Sequence, residues 1–385
     1  MVEKPPPLGV VMVSASFYPH VGGAEKQALE LSAALKERGV SVRVATRRLG
    51  GAPSREEVRG VLVDRLWCVG SGGFLNAATF LLSLTRYLWS QAPFYEAIHV
   101  HLGGSPALAA AFAGRLLGKR VFVKLGGGAG IGEVAVSSRS LSGRLKLKLL
   151  SWLSPQFLAV APDIEAEARR WLGQVAIHSM PNGVDIARYK PGGDKNALRA
   201  ALGWPRGLGL LYVGRFSPEK RLPRFLEIWA DLTRKMRDPG FIAFIGEGIE
   251  EKLIRDSAAR ERVSERVFIR GPLDAIEQAY QAADLFILPS VSEGLSNALL
   301  EAQACGVAAL ASRVGATPLV VEDGRTGFLF APNDEEALKG QLGKILERPE
   351  LCVELGRSAR RAIVEKYSIE KIAKRCETLY RWSLP

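Results

Sequence analysis

Cysteine, histidine and methionine are scarce in this sequence, four of each in 385 residues. Cys68, Cys305, Cys352 and Cys376 lie far apart, without the paired spacing of a metal knuckle or a disulfide framework. Reduced, packed thiols in a reducing compartment are therefore expected, which points to the cytoplasm. No two histidines stand at helical ligand spacing, and no two aspartates are two residues apart. The signatures of a zinc site and of an Asp-x-Asp metal clamp are thus lacking, and no metal is expected. The longest greasy stretch, Phe74 to Trp89, contains Asn76 and Arg86 and is too short and polar to span a bilayer. Glu3 and three prolines precede the first apolar strand, so no secretory signal is expected there. No short-period repeat and no low-complexity tail is visible.

The net charge of +12 is unevenly spread. Residues 1–181 hold 21 Lys/Arg against 12 Asp/Glu, whereas residues 182–385 hold 31 against 28. Between residues 115 and 148 eight basic residues face one acid, Glu133. Such a face attracts anionic lipid, nucleic acid or a phosphorylated substrate. Nucleic acid is the weakest option, because no helix-turn-helix, zinc-finger or aromatic-platform signature accompanies the charge. An anionic membrane surface is a candidate partner through this basic first half. The segment from Arg139 to Leu153 mixes leucines, Trp152 and four cations. An interfacial helix and a core helix with a basic outer edge both fit that pattern.

Short β-branched runs alternate with amphipathic helical patterns, which predicts α/β architecture with parallel sheets. Strands are expected at 9–14, 41–46, 61–66, 97–101, 120–125 and 157–161, then at 208–213, 241–245, 266–270, 284–288 and 307–311. A helix is expected over 24–38, closed by Gly39. The Met180-Pro181-Asn182-Gly183 cluster marks a break between two doubly wound halves. The domains are read as 1–180 and 181–368, with a last helix, 369–385, packing back onto the first. Ligands of such sheets bind outside the carboxyl ends of the strands, and domain interfaces favour small-molecule sites.

Two glutamates eight residues apart, Glu293 and Glu301, follow the strand at 284–288. Glu293 stands in a loop of small and polar residues, and Glu301 stands in the helix that Ser296 can cap. That helix start offers unpaired amides to a phosphate, and carboxylates accept hydrogen bonds from sugar hydroxyls. A solvated surface pair is the rival reading. After the strand at 208–213, Gly214, Arg215 and Lys220 place two cations at one strand exit, where they could clamp a diphosphate or merely form a solvated basic loop. Gly22 and Gly23 precede the first helix and permit close backbone approach, or make a simple turn; they do not form the dinucleotide G-x-G-x-x-G pattern. Alternation puts His99 and His101 on one face, with His101 nearer the strand end. It could contact a sugar or cap the strand structurally. His20 and His178 have no such placement. Lys124 runs into a glycine-rich loop containing Gly126 and Gly127, read as a flexible lid or acceptor clamp.

These residues, in this order, resemble retaining nucleotide-sugar glycosyltransferases of GT-B architecture, specifically glycosyltransferase family 4. The resemblance runs through Gly22-Gly23, His101, Pro181-Asn182-Gly183-Val184-Asp185, Gly214-Arg215 with Lys220, and Gly246-Glu247-Gly248. It continues through Ser292-Glu293-Gly294-Leu295-Ser296-Asn297 with Glu301, and Glu322-Asp323-Gly324 with Gly327. It implies two Rossmann-like parallel-sheet domains facing across a cleft, and a hexosyltransferase that needs no cofactor and no metal. Arg215 and Lys220 would hold the donor diphosphate, with Gly214 beside them. Glu301 would bind the ribose. Glu293 and the amides of Gly294, Leu295, Ser296 and Asn297 would hold the sugar and α-phosphate. Gly22 and Gly23 would approach the phosphate or acceptor, and His101 the transferred sugar. Backbone from Arg270 to Leu273 would receive the base. Lys124, Gly126 and Gly127 are assigned to the acceptor. The implied partners are a UDP- or GDP-sugar and a glycan or lipid-linked acceptor in cell-surface polysaccharide or glycolipid synthesis, with the enzyme cytoplasmic or peripheral on the inner membrane face. Leu319 stands where relatives often carry an acid, and Lys124 and the glycines where many show Thr or His. Both departures bear on the acceptor. An epimerase or phosphorylase on the same scaffold, or a non-catalytic sugar-nucleotide binder, are the alternatives.

Overall fold

The computed structural model describes residues 8–19, 22–128 and 130–382. Residues 1–7, His20, Val21, Ala129 of the glycine-rich loop and 383–385 at the end of the helix expected over 369–385 lie outside the described residues. The chain divides into two compact units, one ending at Gly183 and resuming at Ile369, the other running from Val184 to Ser368.

Among the described residues the first unit holds eight strands: β1 (Gly9–Ser14), β2 (Ser41–Arg47), β3 (Arg55–Val58), β4 (Val61–Leu66), β5 (Ala97–His101), β6 (Arg120–Leu125), β7 (Gln156–Ala159) and β8 (Ile177–Ser179). Its helices are α1 (Gly23–Glu37), α2 (Gly73–Ser90), α3 (Ser105–Leu117), α4 (Glu133–Ser138), α5 (Leu141–Leu153) and α6 (Pro162–Leu172). The sheet order is β3-β4-β2-β1-β5-β6-β7-β8, and every pairing is parallel except that of β3 with β4. The order in which strands are added reverses at β1, where β2 lies on one side and β5 on the other, both parallel to it.

The second unit holds β9 (Gly209–Val213), β10 (Phe241–Ile245), β11 (Val267–Arg270), β12 (Leu285–Leu288), β13 (Ala308–Ser312) and β14 (Gly327–Phe330). Its helices are α7 (Lys195–Ala201), α8 (Leu222–Thr233), α9 (Glu251–Arg260), α10 (Ile276–Ala282), α11 (Asn297–Ala304), α12 (Thr317–Val320), α13 (Glu335–Glu347) and α14 (Leu351–Lys366). This sheet is wholly parallel, in the order β11-β10-β9-β12-β13-β14, and reverses at β9. Strands covered on both faces must be apolar throughout. The run FIAFI of β10 and the run LFIL of β12 are buried at every position.

The last helix, α15 (Ile369–Trp382), belongs to the first unit and packs on α1. Its buried Ile369, Ile372, Ala373, Cys376 and Tyr380 recur at helical spacing and join Met12, Leu31, Leu35 and Phe122 in one core. Each large side chain so buried contributes about 1.5–3 kcal/mol. Tyr380 also hydrogen-bonds Nδ1 of His99.

The expected α/β architecture is observed. Three strands have no counterpart in the hydrophobic pattern. The sequence of β3, REEV, is charged because it is an antiparallel edge with little to bury. The strands β8 and β14 are three and four residues long and are held by pairing with β7 and β13 rather than by an apolar run of their own.

Candidate active site

In the second unit, the strand exits on either side of the reversal carry the predicted residues. After β9 the chain passes Gly214 and Arg215 into a single 3-10 turn, Pro218–Lys220, before α8. After β12 it runs through Pro289 to Ser296 and enters α11. A backbone hydrogen bond from the Val291 amide to the Glu219 carbonyl joins the two loops. Across that junction Lys220 Nζ lies 2.6 Å from Glu293 Oε1, with both side chains 12% exposed. The Ser290 hydroxyl donates to the same carboxylate oxygen at 2.8 Å. An ammonium carries three donors, and this contact engages one of them.

Ser296 caps α11 by accepting from the Leu299 amide. The loop carrying Glu293 is braced by Gly315, whose φ of +54° suits glycine and whose added Cβ would lie 2.1 Å from the Glu293 carbonyl oxygen. The Ala316 amide also donates to the Gly294 carbonyl at 2.8 Å. Glu301 is buried one turn inside α11 and accepts from the Tyr280 hydroxyl at 2.9 Å. Burial, followed by the Glu301 charge, pushes the Tyr280 hydroxyl well above its ordinary pKa, so it stays a donor. Arg215 is 81% exposed, with its guanidinium 3.8 Å from Glu219. Arg270 ends β11; its side chain donates to the Leu202 carbonyl and its own carbonyl accepts from the Gly246 amide, while Leu273 lies in the loop beyond.

In the first unit, the reversal at β1 brings the exits of β1 and β5 side by side. Gly22 caps α1, and its amide donates to Glu25 Oε2 at 3.0 Å, while the Ser16 hydroxyl donates to Glu25 Oε1 at 2.6 Å. The helix start is therefore held by a carboxylate of the chain itself. His99 and His101 share one face of β5 with rings stacked 4.4 Å apart, and both are buried. Lys124 is also buried and sits opposite His101 in the β5–β6 register. Burial pulls His99 down to about 3 and His101 well below its ordinary value, with Lys124 reinforcing both. Burial likewise pulls Lys124 down to about 8. Neither ring nitrogen of His101 has a hydrogen-bond partner among the described residues.

The glycine run after Lys124 is closely packed at its described residues. Gly126 and Gly127 open a loop that closes on itself: the Gly132 amide donates to the Gly128 carbonyl at 2.7 Å, and a Cβ on Gly127 would lie 2.6 Å from Gly132 Cα. Glycine serves close backbone packing there. Among the described residues no three His, Cys, Asp or Glu side chains gather to hold a metal ion. Three participants were not singled out in the sequence: Ser290, Tyr280 and Gly315. Ser290 lies three residues before Glu293 and was within reach of the motif. Tyr280 and Gly315 come from other segments and are joined only by folding.

Two family models cover most of the chain: a glycosyl transferase 4-like domain over residues 22–183 and glycosyl transferases group 1 over residues 194–362. A D-inositol 3-phosphate glycosyltransferase of Saccharomonospora viridis is 34% identical over 220 residues, which are 53% of this chain and 50% of that protein. The matched stretch thus spans about half the length of that relative. The N-acetyl-alpha-D-glucosaminyl L-malate synthase of Bacillus anthracis is 26% identical over 374 residues, 96% of each chain. Among solved structures, sucrose-phosphate synthase from Thermosynechococcus elongatus superposes with a TM-score of 0.79 at 22% identity, over 97% of this chain and 98% of that one. HepE of Anabaena, solved with UDP and glucose, gives 0.78 at 19% identity, over 97% and 99%. At these identities the structural likeness is one of fold. The two family models and the curated relatives together decide the class: the chain belongs to the glycosyltransferases of GT-B architecture.

Proposed function

We propose that this chain is a retaining hexosyltransferase that uses a UDP- or GDP-sugar and works without a divalent ion or other cofactor. The observation that carries the reading is the Lys220–Glu293 pair at the sheet reversal of the second unit, beside the start of α11. A nucleoside diphosphate gains charge as its glycosidic bond breaks, and fixed cations and amides stabilise that charge most where water is excluded. Lys220 and Arg215 hold the diphosphate. Glu293, with the amides of Gly294 to Asn297, holds the sugar and α-phosphate. Glu301, aligned by Tyr280, takes the ribose, and the backbone from Arg270 to Leu273 takes the base. In the first unit His101 serves the transferred sugar, and Gly22 and Gly23 the phosphate or acceptor. The acceptor attacks from the face the diphosphate leaves, and the departing phosphate takes its proton. The UDP and glucose named with HepE support this class of donor.

For the acceptor, a glycan or lipid-linked molecule of cell-surface polysaccharide or glycolipid synthesis is the first reading. Lys124 favours a second, a small hydroxylated anion, because a buried amine on the strand beside His101 suits a phosphate or carboxylate. The names of the relatives, which mention inositol 3-phosphate and malate, point the same way.

The test incubates purified protein with a panel of nucleotide sugars in EDTA and follows nucleotide release, then adds lipid-linked, glycan and small anionic acceptors in turn. Release and transfer in EDTA with one donor are expected. Strict dependence on added metal would contradict the reading, and release that no acceptor accelerates would leave a nucleotide-sugar hydrolase or binder instead.

A further inference from the structure

The helices α2, α3 and α5 form one layer on the first sheet, with α3 packed between the other two. None of them carries an Asp or Glu. Their outer faces expose Leu82 and Trp89 on α2, Phe112 and Leu116 on α3, and Leu149 and Trp152 on α5. A monomer rarely leaves so many large apolar side chains in water on adjoining helices. Exposed Arg86, Arg115, Arg144 and Lys148 are interspersed with them. Apolar side chains with cations and no acids are the composition of a surface that lies on anionic lipid.

At the amino ends of β6 and β7, away from the strand exits described above, this face contains a recess of about 220 Å³ lined by Arg115, Lys119, Arg120, Ser154 and Gln156. Three cations line it and no acid does. The Nη1 atom of Arg120 is fully buried and has no hydrogen-bond partner among the described residues. A buried guanidinium donor without a partner is costly, and an acceptor drawn into the recess would offset that cost. Glu96 acts on its charge, but that carboxylate already accepts from the Gly9 amide at 2.6 Å. At the rim, the Arg115 guanidinium lies 5.0 Å from the centre of the exposed Trp152 ring, and Leu116 is on the same turn. A cationic pocket at the edge of an apolar rim matches an anionic phospholipid: phosphate inward, acyl chains along the helices.

We propose that this recess is a binding site for the phosphate of an anionic phospholipid, and that it docks the first unit on a membrane surface through α3 and α5. The site holds whichever sugar is moved, so its test does not depend on the transfer reaction.

The full-length protein is sedimented with vesicles of phosphatidylcholine alone and of phosphatidylcholine with phosphatidylglycerol. Wild type is expected to pellet only with the anionic vesicles, and less in about 0.5 M salt. Arg120→Gln is expected to weaken partitioning roughly tenfold, and Arg144→Gln, on the same face but outside the recess, only about two- to fivefold. Trp152→Ser is expected to weaken it as well, with retained circular dichroism showing that each variant is folded. Arg115→Glu is the second recess variant should Arg120→Gln fail to fold. Equal binding to neutral vesicles, no sedimentation at all, or equal losses in the Arg120 and Arg144 variants would overturn the proposal. So would complete displacement by millimolar inorganic phosphate, which would make the recess a site for free phosphate.

Discussion

Lys220 and Glu293, 73 residues apart in sequence, are joined by a 2.6 Å ion pair at 12% exposure, and Ser290 donates to the same carboxylate. Two loops that leave neighbouring strands are thereby fixed to each other at the sheet reversal of the second unit. Lys220→Ala and Glu293→Ala are each expected to lower kcat at least about a hundredfold, the size of a lost charge stabiliser. Because each variant strands its partner, the double variant is expected to lose much less than the product of the two. Nucleotide release under saturating donor measures this. Near-normal turnover in both single variants would remove the pair from the chemistry.

Tyr280 tests the role of Glu301. Phenylalanine at 280 removes a hydroxyl that donates to this buried carboxylate at 2.9 Å. A loss of about 1–3 kcal/mol in stability is expected. If Glu301 binds ribose, KM for the nucleotide sugar should also rise while kcat changes little. Thermal unfolding and steady-state kinetics separate the two effects. A stability loss with unchanged KM would make Tyr280–Glu301 a purely structural contact.

Gly315→Ala places a Cβ 2.1 Å from the Glu293 carbonyl oxygen on a backbone at φ +54°. The loop carrying Glu293 must move to accommodate it. Activity is expected to fall more than tenfold, with a stability loss of about 1–3 kcal/mol from the strained conformation. Gly340→Ala, in the exposed face of α13 with no atom near the added Cβ, is the control and should leave activity unchanged and stability equal or raised by up to about 1 kcal/mol.

The buried imidazoles set an acid limit. His99 and His101 have folded pKa values below the unfolded 6.5, His99 at about 3. Their contribution to stability is complete above pH 6.5 and is lost as pH falls through the window from 6.5 towards 3, since the unfolded chain binds the protons first. The urea midpoint should therefore decline below pH 6.5, and less steeply in His99→Gln/His101→Gln. Lys124, depressed from 10.5 to about 8, works in a different window: its contribution is complete above 10.5 and lost as pH falls through about 8. Lys124→Met should accordingly gain on wild type as pH drops from 10.5 to 8. Parallel midpoints for variant and wild type across either window would show that the group in question titrates normally.

Much of the fold was legible in the chain itself. Strands buried on both faces must be apolar, so runs such as Phe241–Ile245 declare themselves without any tertiary information. Ser296 as a cap, and the placement of Glu293 and Lys220 at strand exits, follow from local chemistry and the alternation of strands with helices. The charged edge strand Arg55–Val58 was not legible, because an edge that buries little leaves no hydrophobic trace. Nor was the compact closure of Gly127 on Gly132, since a glycine run reads the same whether it permits motion or close packing.

By itself the sequence determined two parallel-sheet units and the residue types waiting at their strand ends, because periodicity and turn chemistry are properties of neighbours along the chain. Only the tertiary structure decided which of those residues meet: Lys220 with Glu293, Glu301 with Tyr280, His99 with Tyr380. It also decided that α2, α3 and α5 turn an acid-free apolar face to solvent around the Arg115–Arg120 recess. Such pairings depend on strand order and on which helix face finds a partner, and contacts between residues 21 to 281 apart leave no local mark in the chain.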